Sequence, residues 1–169
     1  MTTHAPTRWT KPESGVLKLN CDGAFNGNKY TGSTGCIIRD SHERVLGARA
    51  RWYGALTDAL HADALAVRDG VAFSVRWRTY GLRVETDSQM LVNMWLNRES
   101  HMTEITPILR EIEEISKLFN SFEISYIFRN ANLAAHGCAN EASRNPECMW
   151  IGREPISIVQ VIESECNPT

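Results

Sequence analysis

Long apolar runs are missing from these 169 residues. None approaches the roughly 18 consecutive apolar residues of a membrane span. The opening MTTHAPTRWTKP also lacks the apolar centre of a secretory leader. Cysteine is scarce and unpatterned. The five (Cys21, Cys36, Cys138, Cys148 and Cys166) are odd in number and show no C-x-x-C spacing, which excludes neither a thiol nor a ligand singly but suggests no disulfide framework or zinc knuckle. Together these absences predict an intracellular, reduced protein. Positive charge is short as well: 18 Lys and Arg stand against 20 Asp and Glu, for a net charge of −2. A protein that coats nucleic acid electrostatically carries a basic excess, so any dealings with phosphate would need local charge or bound metal. No internal repeat or low-complexity segment is present. The 43% hydrophobic and 22% charged content is that of one globular domain with a single substantial core.

What is present is organised around residues 16–24, VLKLNCDGA. Leu17, Leu19 and Cys21 alternate with Lys18, Asn20 and Asp22, the period-2 pattern of a strand with one buried face. Residues 1–14 read as a polar tail or linker, with Trp9 expected to fold back as a cap on the sheet. The turn-rich 25–35 predicts a hairpin loop, and 36–39 and 45–52 predict the second and third strands of an antiparallel meander. From Thr57 the period changes to that of a long helix, with Thr57 or Asp58 as its N-cap. LRVET (82–86) predicts a fourth strand, Asp87 opens a second helix, 104–119 carries the apolar stripe of a third, and FEISYIF (122–128) a fifth strand. A helix of small residues spans 131–142. Helical crossovers between strands one and four and between four and five imply parallel pairing there. The expected architecture is therefore α/β, a five-stranded mixed sheet of three antiparallel and two parallel strands flanked by helices. The domain runs over 15–145, and a C-terminal extension over 146–169 holds a short strand at 156–162.

Four residues are candidates for chemistry. Asp22 is an acid within a strand pattern, where acids are disfavoured; an Asp-Gly turn or a solvated edge would also account for it. Asp63 is followed by Ala66, Val67 and Gly70 at helical spacing, which puts it on the sheet-facing side of its helix, although a helix-dipole role would also place an acid there. Asp87 ends one strand and begins a helix, as an N-cap does, yet the carboxyl ends of parallel strands are where open α/β sheets place their sites. His136 lies in NLAAHGCANEA, where a half-buried structural histidine is the plainer reading.

The segments LKLNCDGAF, TGCIIRD, ADALAVRDGV, VETDSQMLV and FRNANLAAHGCA, in that order, resemble the ribonuclease H superfamily, and more narrowly the plant ribonuclease H-like domains related to retrotransposon reverse transcriptases. The resemblance covers about residues 9–145. It implies a ribonuclease H-like fold and a site for two divalent ions, Mg²⁺ or Mn²⁺, held by Asp22, Asp63, Asp87 and His136, with Asp22 bridging both. It further implies hydrolysis of the RNA strand of RNA/DNA hybrids; separately, no membrane partner is expected and a monomer is the expected state, which the sequence itself does not fix. Asn20, Asn26, Asn28, Ser88, Gln89 and Asn93 are the candidate contacts to the hybrid's minor groove, although as turn formers and helix-start residues each is explained at least as well. Two positions depart from the pattern: Asp63 stands where Glu is usual, and His136 where Asp is usual. Residues 129–133 (RNANL) also lack the histidine that bacterial-type enzymes place before the last helix. These departures keep a second expectation open, a catalytically impaired, retroelement-derived module that binds nucleic acid or protein.

Overall fold

The computed structural model describes residues 4–166. Its spine is β1 (Val16–Asn26), which pairs antiparallel with β2 (Thr31–Arg39) and parallel with β4 (Gly81–Thr86). β3 (Val45–Tyr53) extends the meander beyond β2, and β5 (Ser121–Tyr126) lies parallel to β4. A sixth strand, β6 (Glu147–Ile151), pairs antiparallel with β3, giving the order β5-β4-β1-β2-β3-β6. The mixed sheet expected from the sequence is there, with one strand more than the five foreseen. The strand expected at 156–162 is absent: Ile156–Ile158 forms a 3-10 turn that leads into helix α5 (Val159–Cys166). Its apolar residues Ile158 and Ile162 follow helical spacing, and both are buried.

Residues 25–35 also fold otherwise than expected. β1 runs to Asn26 and β2 starts at Thr31, so only 27–30 remain as the turn, with Tyr30 at φ 53°. Gly27 stays in the turn, but Gly32 and Gly35 lie within β2 and serve close packing. A Cβ on Gly35 would lie 2.2 Å from the backbone nitrogen of Ala139, so this glycine lets a helix sit against the strand.

The period-2 pattern of β1 sorts the molecule into layers. Leu17, Leu19 and Cys21 join α1 (Ala59–Ser74), α2 (Gln89–Leu96) and α3 (Thr106–Ser116) in the larger core. The opposite face carries α4 (Leu133–Glu141) and α5 over a smaller core of Ile37, Ala48, Ala134, Cys138, Ile158 and Ile162. Each of these side chains contributes roughly 1.5–3 kcal/mol when fully withdrawn from water, if its size is that of Ile. Trp9 is buried against that second face, as expected, its indole donating to Asn20 Oδ1 at 3.1 Å and its ring stacked 3.9 Å from the Arg39 guanidinium. Among the described residues no helix is long and apolar enough to cross a membrane.

Candidate active site

The register of two strands begins the site. Cys21 and Thr86 are partners on parallel β1 and β4, so Asp22 and Asp87 are the next residues at the same sheet end. Small residues bring in the third acid. A Cβ on Gly23 would fall 2.4 Å from the Ala62 carbonyl carbon, so α1 can lie directly on the end of β1 only because that position is glycine. In that position the Gly23 N–H donates to Asp63 Oδ1 at 3.2 Å. The fourth residue arrives on α4 from the other face, with His136 Nδ1 2.8 Å from Asp22 Oδ2. The structure thus brings Asp22, Asp63, Asp87 and His136 to one end of the sheet.

Capping, the plainer explanation for Asp87, belongs to its neighbour. Ser88 is the N-cap of α2, its hydroxyl accepting from Leu91 N–H at 3.4 Å. Asp87 is left to accept from Asn132 Nδ2 at 3.3 Å. Asp58 caps α1 by accepting from His61 N–H at 2.7 Å, which leaves Asp63 free of that duty too.

Crowding shows in the electrostatics. Burial, then the charge of Asp87, raises the Asp22 carboxyl above its ordinary value, while the His136 contact opposes the rise. Burial, then Asp22, pushes Asp63 up to about 7, against the nearby Ser88 hydroxyl and the Gly23 N–H. Acids that raise one another are relieved by a cation placed among them. Hard carboxylate oxygens are the donors that Mg²⁺ and Mn²⁺ take. The donor chemistry therefore fits such ions. Among the described residues, however, no group of three or more His, Cys, Asp or Glu side chains forms a ready-made cage. Holding an ion would require side-chain rotation, and Asp22 Oδ2 is already engaged by His136.

The residues expected at the minor groove divide. Asn26 and Asn28 are exposed in the β1–β2 turn, where Asn26 Oδ1 accepts from Asn28 N–H at 3.1 Å. Gln89 and Asn93 are exposed on α2 and bonded to each other at 3.1 Å. Asn93 also borders an apolar groove of about 380 Å³ between α2 and α3, lined by Met90, Met94 and Leu109. Ser88 is half-buried beneath the acids. Asn20 is a correction. It is 0% exposed, bonded to Trp9, Glu85, Asn132 and Arg39, and out of reach of any ligand. The sequence showed it on the polar side of its strand, but not that a second layer covers that side.

Two residues near the acids were not foreseen. Asn132 is 1% exposed and donates to Cys21 O at 2.9 Å as well as to Asp87. Arg129 is exposed just before α4, and its charge favours ionised Asp22. Only the position of Asn132 before a helix of small residues hinted at its placement.

The model of the family described as "Reverse transcriptase-like" matches residues 20–142, a span that holds all four site residues. The chain belongs to this reverse transcriptase-like family, and its domain is ribonuclease H-like. A protein of Arabidopsis thaliana named "Putative ribonuclease H protein" is 27% identical over 134 residues, 79% of this chain. The chain spans 22% of that relative's length. The reverse transcriptase-like domain also superposes on solved ribonucleases. The N-terminal RNase H domain of a Mycobacterium tuberculosis protein matches with a TM-score of 0.69 at 19% identity, covering 76% of this chain and 94% of that one. RNase H1 of Halobacterium salinarum matches with a TM-score of 0.66 at 21% identity, covering 77% and 98%. LC11-RNase H1, solved in complex with an RNA/DNA hybrid, matches with a TM-score of 0.66 at 17% identity, covering 74% and 94%. At these identities the three structures establish the fold.

Proposed function

We propose that this domain hydrolyses the RNA strand of RNA/DNA hybrids at a site that takes two divalent ions, Mg²⁺ or Mn²⁺. One observation carries the reading: Asp22 and Asp87 end adjacent parallel strands while Gly23 admits α1, so that three acids crowd one sheet end, where burial and neighbouring charge raise the proton affinity of Asp22 and Asp63. The family relationship and the hybrid bound by LC11-RNase H1 support the substrate class. When bound, such an ion pair activates a water and stabilises the leaving oxygen of a phosphodiester.

The chain's own residues have separable tasks. Asp22, Asp63 and Asp87 would hold the ions through their carboxylate oxygens. His136 holds Asp22 in its rotamer through a 2.8 Å contact. With about a third of its side chain exposed, it can also pass a proton to or from solvent. Asn26, Asn28, Gln89 and Asn93 offer donors and acceptors on the exposed turn and on α2, where 2′-hydroxyls could be read.

A second reading is favoured by the His136–Asp22 contact, which occupies a carboxylate oxygen an ion would need, and by the short arm of Asp63. In it the domain binds nucleic acid or protein and does not turn over. Cleavage of an end-labelled hybrid in Mg²⁺ and in Mn²⁺, beside Asp22→Asn, decides between them. The proposed activity predicts cleavage that falls by at least about 100-fold in the variant. Folded wild-type protein inert with both ions would give the second reading the field, and equal cleavage by the variant would remove Asp22 from the mechanism.

A further inference from the structure

We infer that Asn132 is a positioning residue that fixes Asp87 relative to Asp22, backed by a sealed polar network on the second face of the sheet; this rests on the metal-site reading above. The amide of Asn132 stands between the two strands that carry the acids. Nδ2 donates to Cys21 O, the carbonyl immediately before Asp22, at 2.9 Å, and to Asp87 Oδ1 at 3.3 Å. Its own Oδ1 accepts from Asn20 Nδ2 at 3.3 Å. Its carbonyl accepts from His136 N–H at 3.2 Å, which sets the first turn of α4 and with it the ring that meets Asp22. One residue therefore touches β1 and Asp87 through its side chain and the helix of His136 through its backbone carbonyl.

What holds Asn132 is as specific as what it holds. Asn20, completely buried, bonds Glu85 at 2.9 Å, and Glu85 pairs with buried Lys18 at 2.8 Å. Asn20 Oδ1 takes donors from Trp9 at 3.1 Å and from Arg39 at 3.3 Å, and the completely buried Arg39 pairs with Glu165 of α5. Asn20 can present its amide to Asn132 in only one orientation, because its oxygen is fixed by two donors. Asn132 must then turn its oxygen to Asn20 and its two N–H groups to Cys21 O and Asp87. Buried amides with every site used have one low-energy arrangement, and outer partners that fix a ligand's orientation commonly change metal affinity by about 10- to 100-fold when removed.

The test is Mn²⁺ binding by titration calorimetry in the full chain, with hybrid cleavage as a second readout. For Asn132→Ala the expectation is Mn²⁺ affinity about 10- to 100-fold weaker, with kcat lowered at saturating hybrid and KM for the hybrid little changed. Ser33→Ala serves as the control for plain destabilisation. It removes a bond of 2.8 Å from β2 to the Ala139 carbonyl of α4 without touching the acids, and its Mn²⁺ affinity is expected to stay within twofold of wild type. Should Asn132→Ala fail to fold, Asn132→Ser, which keeps a polar side chain at the start of α4, carries the same expectation. A folded Asn132 variant that binds Mn²⁺ as wild type does overturns the positioning role and leaves the metal site standing. A wild type that binds no Mn²⁺ overturns both.

Discussion

In the proposed hydrolysis, Asp63 is the residue whose geometry matters most. Its arm is one methylene shorter than the Glu usual at this position, and it spends one oxygen on the Gly23 N–H. A misplacement of about 1 Å at a reacting centre costs up to about 100-fold in rate. Asp63→Glu should therefore raise hybrid cleavage, by about tenfold or more, and steady-state rates in Mg²⁺ would show it. An equal or lower rate would mean that α1 already compensates for the short arm. The same residue sets a pH dependence in metal-free protein. Burial and Asp22 hold its folded carboxyl at about 7, against an ordinary value of 3.8. The folded state then binds more protons than the unfolded chain between these values. Stability from this group is complete below about pH 4 and is lost as pH rises through about 7. Asp63→Asn, with no charge to bury, should match wild type near pH 4 and exceed it at pH 8 by on the order of 1–2 kcal/mol. Urea unfolding in a chelator at both pH values measures the difference, and equal stability at pH 8 would contradict it.

Among the elements, α4 shows how closely helix and strand must approach for the site to form. Gly35 of β2 lies beneath it, with the Ala139 nitrogen 2.2 Å and the Ala135 carbonyl oxygen 2.6 Å from where a Cβ would stand. Both obstacles are backbone, so Gly35→Ala must push the helix away. The expected cost is about 1–3 kcal/mol, and His136 should move off Asp22. Thermal unfolding and the NMR pH titration of the His136 ring would register the two effects; an unshifted ring would place α4's anchor elsewhere. This packing was only partly legible in the sequence. Period 2 in β1 and period 3.6 in α1 revealed the elements and the sheet's mixed order, because both patterns arise from burial on one face. The acids were legible chiefly through the five segments that carry the family resemblance; read singly, Asp22 also fitted a turn or a solvated edge, and only Asp63 sat on a face where solvation is a weak explanation. Gly32 and Gly35 misled, since the residue that permits a tight turn also permits close approach. Asn20 misled for a related reason: alternation marks its side of the strand as polar but carries no information about Trp9 and Arg39 lying over it.

At the scale of the whole molecule, the second face of the sheet is closed by segments remote from the acids in sequence. Trp9 covers Asn20 and Arg39 from the N-terminal side, while β6 pairs with β3 and α5 supplies Ile158, Ile162 and Glu165. Arg39 has no exposed surface, and its Nε has no hydrogen-bond partner among the described residues, so its charge depends on Glu165. Removing one member of a buried pair costs about 3–5 kcal/mol because the other charge stays behind. A chain ended at residue 145 would lose that partner, bare the smaller core and open the β3 edge. It should unfold at markedly lower temperature than the full chain or fail to fold, whereas Glu165→Ala alone should cost about 3 kcal/mol. Calorimetry on both separates the contributions: a large loss in the truncated chain with little in Glu165→Ala would assign the closure to apolar packing. A truncated chain as stable as the full one would show that the sheet, with its acids, stands without the layer described here.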